Sequence, residues 1–125
     1  MNTSSFDTCD LAIVVTQAPR RGYLGQEVFD MAVACGVFDQ SVTVVFMDAG
    51  CFHLAADQPA APGRKTLSKL WQSAGLFGVD RVVARKGSEA MIEQLSRSPA
   101  LSDLELLDDT AIGQLLQNAE QVVIL

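Results

Sequence analysis

Cys51 and His53 are the two residues whose types and spacing suggest chemistry. A cysteine thiolate is the nucleophile in sulfur exchange, and a neighbouring imidazolium can lower the thiol pKa and so raise the thiolate fraction. Both residues follow an apolar run over residues 42–47 that predicts a buried strand. In open α/β sheets ligands bind beyond the carboxyl ends of the strands, so this pair is the candidate catalytic site.

The same stretch also has a purely structural interpretation. Asp48 and Gly50 are typical turn residues, while Cys51 and Phe52 can pack in a core. Residues two apart face the same side of a strand, but in a loop that spacing guarantees no contact between Cys51 and His53. The residues alone leave both interpretations open.

Other kinds of reactive or ligand-binding site find no support in the sequence. The single histidine, His53, has no spacing that relates it to a serine, so no Ser-His-Asp triad is predicted. One histidine and three scattered cysteines do not match metal-ligand spacings. The loop over residues 17–22 lacks both GxGxxG and GxxxxGK[ST]. We therefore predict no metal and no cofactor.

Composition and charge restrict the class of protein. The chain has 125 residues, 49% of them hydrophobic, which predicts one folded domain over residues 1–125. Its net charge of −6 disfavours direct binding to nucleic acid or to anionic membranes, because both need clustered basic residues.

No apolar run approaches the ~20 residues of a membrane helix, and residues 1–9 lack the apolar core of a signal peptide. Three cysteines without a CxxC pair predict free thiols, and the sequence predicts a cytoplasmic protein.

Hydrophobic periodicity predicts strands that alternate with helices. Strands are predicted over residues 10–16, 42–47, 82–84, 104–107 and 121–125. A first helix is predicted over residues 23–35, ended by Gly36, and a second over residues 67–74, with Trp71 in the core. Two more helices are predicted, one capped by Ser88 and the other by Asp108 or Asp109. This order predicts an α/β single-domain, three-layer fold with a mostly parallel five-stranded sheet and helices on both faces. The apolar last strand must be covered by the fold or by a partner.

Three short motifs along the chain resemble those of a known family. The first is the strand and loop over residues 13–19, Ile-Val-Val-Thr-Gln-Ala-Pro, followed by Gly25 and Glu27. The second is the block over residues 44–54, which is similar to the family's strand and Asp-Gly-Val turn, and the third is the strand over residues 121–125. Together they resemble the DsrE/DsrF/DsrH-like sulfur-relay family, and within it the DsrF/TusC subunit, nearly from end to end.

The resemblance implies a role in sulfur trafficking. In this family three homologous chains form a heterohexamer that takes persulfide sulfur from a donor protein and passes it to an acceptor. The sulfur serves tRNA wobble 2-thiouridine synthesis in one branch and sulfur oxidation in another. The principal carrier cysteine follows the third strand of the DsrE/TusD chain, and residues 82–87 hold no cysteine here. The resemblance therefore implies a non-carrying subunit whose partners are DsrE/TusD-like and DsrH/TusB-like chains.

A cysteine and a histidine at positions 51 and 53 depart from the family signature, which leaves two alternatives open. The chain could be a stand-alone sulfurtransferase with Cys51 as persulfide carrier, which requires an exposed thiol of low pKa and is compatible with a homo-oligomer. It could also be a small-ligand-binding α/β module, such as a receiver-like domain with Asp48 at the strand end. The sequence thus leaves open whether the chain has a catalytic cysteine of its own.

Overall fold

The computed structural model of the protein describes residues 9–18, 23–38, 40–54, 71, 74–88 and 104–125. In chain order these residues form β1 (Cys9–Val15), α1 (Tyr23–Val37), β2 (Val42–Phe46), a first 3₁₀ helix (Asp48–Leu54), a second 3₁₀ helix (Ala74–Phe77), β3 (Val79–Arg85), β4 (Leu104–Leu107), α2 (Asp109–Asn118) and β5 (Ala119–Ile124). The helices predicted over residues 67–74 and after Ser88 fall largely outside the described residues. Within those ranges, no helix combines the length and apolar character needed to cross a membrane.

The five strands form one sheet in the order β4-β3-β2-β1-β5, and all four neighbouring pairs are parallel. The central strands β1 and β2 are rich in β-branched residues and almost entirely buried, as expected for strands covered on both faces. Ile13 of β1 pairs with Val44 of β2 on one side and with Val123 of β5 on the other. The predicted α/β fold with a mostly parallel five-stranded sheet is confirmed.

Side chains alternate along the central strands between two hydrophobic cores, one on each face of the sheet. On the first face Ile13 and Phe46 pack in one core with Phe29 of α1. On the second face Val14 packs in the other core with Ile112 of α2. Because the two helices lie on opposite faces, the predicted three-layer arrangement is confirmed.

Trp71 is a core residue, as predicted, and only 2% of its surface is exposed. Its ring meets Phe29 and Phe46 edge to face, with centroid distances of 5.1 and 5.0 Å. Such aromatic pairs contribute about 0.5–1.5 kcal/mol beyond the area they bury. The aromatic contacts join α1 to the end of β2, where the candidate site begins.

Two predicted helix ends have different outcomes. Asp108 caps α2 as predicted, because its carboxylate accepts a hydrogen bond from the Ala111 N–H at 2.8 Å. The prediction that Gly36 ends α1 is wrong, since α1 runs to Val37 and Gly36 does not have a positive φ. Gly36 instead lies against Gly78, and an added Cβ would stand 2.7 Å from the Gly78 carbonyl carbon.

Replacing Gly36 with alanine should lower the free energy of unfolding by about 1 kcal/mol. Alanine improves helix propensity by about 1 kcal/mol, but overpacking against the Gly78 backbone costs about 1–3 kcal/mol. Denaturation in urea measures the net change. Gly113→Ala in α2 is the control, because a Cβ there meets nothing within 4 Å and should stabilise the protein. A stabilised Gly36→Ala protein would contradict this packing argument.

β5 forms one edge of the sheet and is incompletely covered. Three consecutive apolar side chains remain substantially exposed, namely Val122, Val123 and Ile124. Unpaired apolar edges are liabilities that proteins normally cover. Coverage of this strand by a partner stays a prediction.

Candidate functional site at the carboxyl edge of the sheet

The candidate site lies at the carboxyl edge of the sheet, which we define as the edge where the parallel strands end. The first 3₁₀ helix begins there at Asp48, whose φ of 53° is a left-handed conformation that aspartate tolerates better than most residues. The chain thereby turns back across the end of β1, and the Met47 N–H donates to the Val15 carbonyl at 3.0 Å. The end of β1 thus supports the segment that carries the candidate residues.

Gly50 allows the first 3₁₀ helix to lie directly on the end of β1. Its N–H donates to the Met47 carbonyl at 2.8 Å. An added Cβ would overlap the Val15 carbonyl oxygen and stand 2.6 Å from the carbonyl carbon. Glycine is therefore required here by close packing against the end of β1. The contact directs the next residues, including Cys51 and His53, into the protein interior.

Cys51 is a buried thiol with only 1% of its surface exposed. Its S–H donates to the Phe46 carbonyl at 3.5 Å. Burial raises the pKa of Cys51, the Asp48 charge raises it further, and hydrogen bonds from Ser88 and the Arg85 backbone oppose the rise. Persulfide carriers need the opposite environment, namely an accessible thiol of lowered pKa.

His53 is completely buried and links the first 3₁₀ helix to the loop after β1. Its Nε2 lies 2.8 Å from the Gln17 carbonyl oxygen, which can only accept, so Nε2 carries the proton. Nδ1 is then an acceptor, and no described residue gives it a hydrogen bond. Burial lowers the pKa of His53, although the Gln17 bond partly opposes the change. The imidazole is therefore neutral near pH 7.

Cys51 and His53 do not form a reactive pair in this geometry. They bond to different carbonyls, those of Phe46 and Gln17, and residues two apart in a 3₁₀ helix point in different directions. A neutral imidazole also supplies no positive charge to stabilise a thiolate. A catalytic role for either residue stays a prediction for substitution to test.

Sequence reasoning missed an ion network that crosses the same edge. Arg85 at the end of β3 binds both carboxylate oxygens of Asp109 at 2.7 and 2.8 Å, and its guanidinium lies 3.6 Å from Asp48. The only signal in the sequence is that opposite charges stand at the ends of predicted elements. These side chains are largely exposed, so the network contributes little to stability. It joins the ends of β2 and β3 to the start of α2.

A further set of hydrogen bonds joins β1 to β5. The backbone N–H and the hydroxyl of Thr16 both donate to the Leu125 carbonyl, at 3.0 and 2.9 Å.

All three cysteines, Cys9, Cys35 and Cys51, are free thiols, and burial raises the pKa of Cys9. Within the described ranges, no three metal-ligating side chains gather into a group. The described residues of the carboxyl edge are held together by hydrogen bonds and ion pairs between neighbouring strand ends.

Comparison with known proteins identifies the relatives of this chain. A family model described as the DsrE/DsrF-like family matches residues 10–124. A protein named "Protein TusC homolog" from Pseudomonas aeruginosa is 38% identical over 118 residues, which cover 92% of this chain and 97% of that protein. The crystal structure of the ychN protein from E. coli has the same fold, with a TM-score of 0.70, 15% identity, and coverage of 93% of this chain and 98% of its own. The chain belongs to the DsrE/DsrF-like family.

Proposed function

We propose that this protein is a TusC-like, non-carrying subunit of a cytoplasmic sulfur-relay complex. The complex passes persulfide sulfur for tRNA wobble 2-thiouridine synthesis or for sulfur oxidation. The observation that carries the proposal is the 38% identity to a TusC homolog over 97% of that protein. Family membership across residues 10–124 supports the same assignment.

The non-carrying role is supported by the chemistry of the cysteines. In persulfide transfer the acceptor thiolate attacks the outer sulfur, and the donor cysteine leaves as a thiolate. Cys9 and Cys51 are buried, and burial raises the pKa of each, which lowers the thiolate fraction. The chain has no cysteine after position 51, so the segment that follows β3 offers no sulfur carrier.

The partners belong to the same proposal. DsrE/TusD-like and DsrH/TusB-like chains would complete a heterohexamer, and the carrier cysteine would stand on the DsrE/TusD-like chain. The exposed apolar residues of β5 support an assembled state, because such edges are normally covered.

Cys51→Ser should leave sulfur transfer by the reconstituted three-chain complex unchanged within about twofold, because a buried thiol of raised pKa does not carry sulfur. The measurement follows labelled sulfur from a persulfide donor to the acceptor. Cys51→Ala serves as a second variant, since a buried serine hydroxyl can itself destabilise the fold by about 1–3 kcal/mol. As the matched positive control, serine at the cysteine that follows the third strand of the DsrE/TusD-like chain should abolish transfer.

The opposite result would identify a stand-alone sulfurtransferase. In that case both Cys51 variants lose transfer while remaining folded by circular dichroism. The isolated wild-type chain would then also acquire a persulfide on Cys51 that mass spectrometry detects.

A further inference from the structure

β5 is an edge strand whose outer side has no neighbouring strand among the described residues. Its inner side pairs with β1 in parallel. On β5 itself, Val122 is 41% exposed and Ile124 is 70% exposed. An edge of this kind presents unpaired N–H and C=O groups, to which another chain can add a strand. The outer side of β5 is therefore a surface that a further strand can join.

The hydrogen bonds at the end of β5 show which backbone groups face outward. The Leu125 N–H donates to the Val14 carbonyl at 2.8 Å, and the Leu125 carbonyl accepts from the Thr16 N–H at 3.0 Å. Backbone groups of successive residues in a strand point to alternate sides, so those of Leu125 and of every second residue before it face β1. The residues of β5 whose backbone groups face away from β1 are Glu120, Val122 and Ile124.

β5 lacks the features that usually prevent edge strands from pairing. Proteins protect such edges with lysine, with proline, with a bulge or by keeping the strand very short. β5 has six residues, none of them lysine or proline, and its pairing with β1 runs without a register shift. The strand at the opposite edge, β4, has four residues. β5 is thus the edge that offers the longer regular ladder.

A second copy of β5 fits this edge in antiparallel orientation. If the two-fold axis passes beside Val122, that residue lies opposite its own counterpart, and Ile124 lies opposite Glu120 of the second copy. All the outward-facing residues of β5 then stand in hydrogen-bonded pairs, each of which exchanges two N–H···O bonds. One register thus satisfies the outward backbone groups of both copies.

The same register keeps like charges apart. Glu120 is the only charged residue of β5. The two Glu120 side chains would stand four positions apart along the ladder, which is about 13 Å at ~3.3 Å per residue. That separation exceeds the screening length of about 8 Å at physiological ionic strength. The residues between them include the exposed Val122, which the pairing covers.

We propose that two copies of this protein associate through β5 as an antiparallel pair, which joins their two five-stranded sheets into one sheet of ten strands. A two-fold contact of this kind is closed, whereas contact of β5 with β4 of another copy would leave free edges and extend into a filament. Because the paired strands are antiparallel, the carboxyl edges of the two copies point in opposite directions. This association goes beyond the proposed function and does not depend on it.

Two substitutions at Val122 separate backbone pairing from apolar contact. Val122→Pro removes the outward N–H at the centre of the pair but no hydrogen bond to β1, a position at which edge strands tolerate proline. It should weaken dimerisation of the purified full-length chain at least about tenfold, because two hydrogen bonds are lost by symmetry. Val122→Thr is the matched control, since it keeps the N–H and a β-branched side chain, and it should weaken dimerisation less than about threefold. Analytical ultracentrifugation over a dilution series measures both.

Opposite charges at Ile124 test the register. Ile124→Lys places a positive charge opposite Glu120 of the second copy, twice by symmetry, whereas Ile124→Glu places like charges opposite each other. The Ile124→Glu chain should therefore associate about tenfold more weakly than the Ile124→Lys chain, and salt should reduce the difference. Ile124 is 70% exposed, so both variants leave the core intact. They decide the question even if circular dichroism shows that Val122→Pro is unfolded.

Several outcomes would overturn the proposal. A wild-type chain that stays monomeric throughout the dilution series does so, as does a dimer that a folded Val122→Pro chain still forms. If Val122→Thr is as damaging as Val122→Pro, side-chain contact holds the dimer and strand pairing does not. Equal affinities for Ile124→Lys and Ile124→Glu exclude the register, and oligomers that grow without limit indicate contact between β5 and β4. Sulfur transfer by the three-chain complex is a separate measurement, so its failure contradicts the proposed function alone.

Discussion

Replacing Gly50 with alanine should lower the free energy of unfolding by about 3 kcal/mol, near the upper end of ordinary overpacking costs. The new Cβ would overlap the Val15 carbonyl oxygen, and that oxygen also accepts the Met47 N–H at 3.0 Å. Neither side can move without disturbing a hydrogen bond at the end of β1. Since domains are stable by only about 5–15 kcal/mol, such a loss is large. Urea denaturation of the wild-type and variant proteins measures it.

Gly113→Ala is the control for this experiment, as it is for Gly36→Ala, because it adds the same methyl group in open space. It separates the effect of overlap at Gly50 from the effect of losing a flexible residue. The thiol of Cys51 provides a second readout, since displacement of the 3₁₀ helix should make it react faster with a thiol reagent. A Gly50→Ala protein of unchanged stability and unchanged Cys51 reactivity would show that the helix does not lie on the end of β1.

Much of the fold can be predicted from local sequence patterns, namely hydrophobic periodicity and helix capping, because the tertiary structure keeps the elements that these patterns favour. The β-branched runs of β1 and β2 are buried on both faces, and the helical spacing in α1 places Val28 and Ala32 in the core. β4 spans Leu104–Leu107 as predicted, and Asp108 caps the next helix. Each of these features depends on neighbours within a few positions of the sequence, so sequence patterns can predict them.

Some details of the packing and of the site depend on contacts that no local pattern encodes. The glycine at position 36 is typical of a helix end, but its packing against Gly78 is what requires it. Arg85 meets Asp109 across 24 positions of the chain, and its two oxygen contacts depend on the order of the strands. The same holds for Cys51 and His53, whose spacing suggested a pair. Their separate carbonyl partners follow only from the 3₁₀ helix and its contact with β1.

The stability of the protein should fall as the pH is lowered below about 6.5, because His53 is buried in its neutral form. Burial lowers the folded-state pKa of His53 from its ordinary value of 6.5. Between these two pKa values the unfolded chain binds a proton that the folded protein does not, so the free energy of unfolding decreases as the pH decreases. The full contribution is present above the unfolded pKa, and the loss ends once the pH is below the folded pKa. Within that window the slope approaches about 1.4 kcal/mol per pH unit.

The physical cause of this acid sensitivity is the N–H that forms at Nδ1 when buried His53 is protonated, because this donor has no acceptor among the described residues. In the neutral form Nε2 donates to the Gln17 carbonyl, and Nδ1 has no hydrogen-bond partner among the described residues. Protonation would turn Nδ1 into a charged, buried and unpaired donor, an expensive combination. Separation of the first 3₁₀ helix from the loop after β1 would expose the protonated ring to water and remove this energetic cost.

Substitution of His53 separates its packing from its titration. His53→Ala should cost about 3 kcal/mol at pH 8, because it removes a buried ring and the hydrogen bond to Gln17. His53→Gln retains a donor and should cost less, but it cannot titrate. Since His53 is the only histidine in the chain, the difference between the wild-type and His53→Gln stability curves isolates this one group. Urea denaturation from pH 8 to pH 5 should therefore give a steeper loss for the wild type, and parallel curves would show that His53 is not buried as a neutral base.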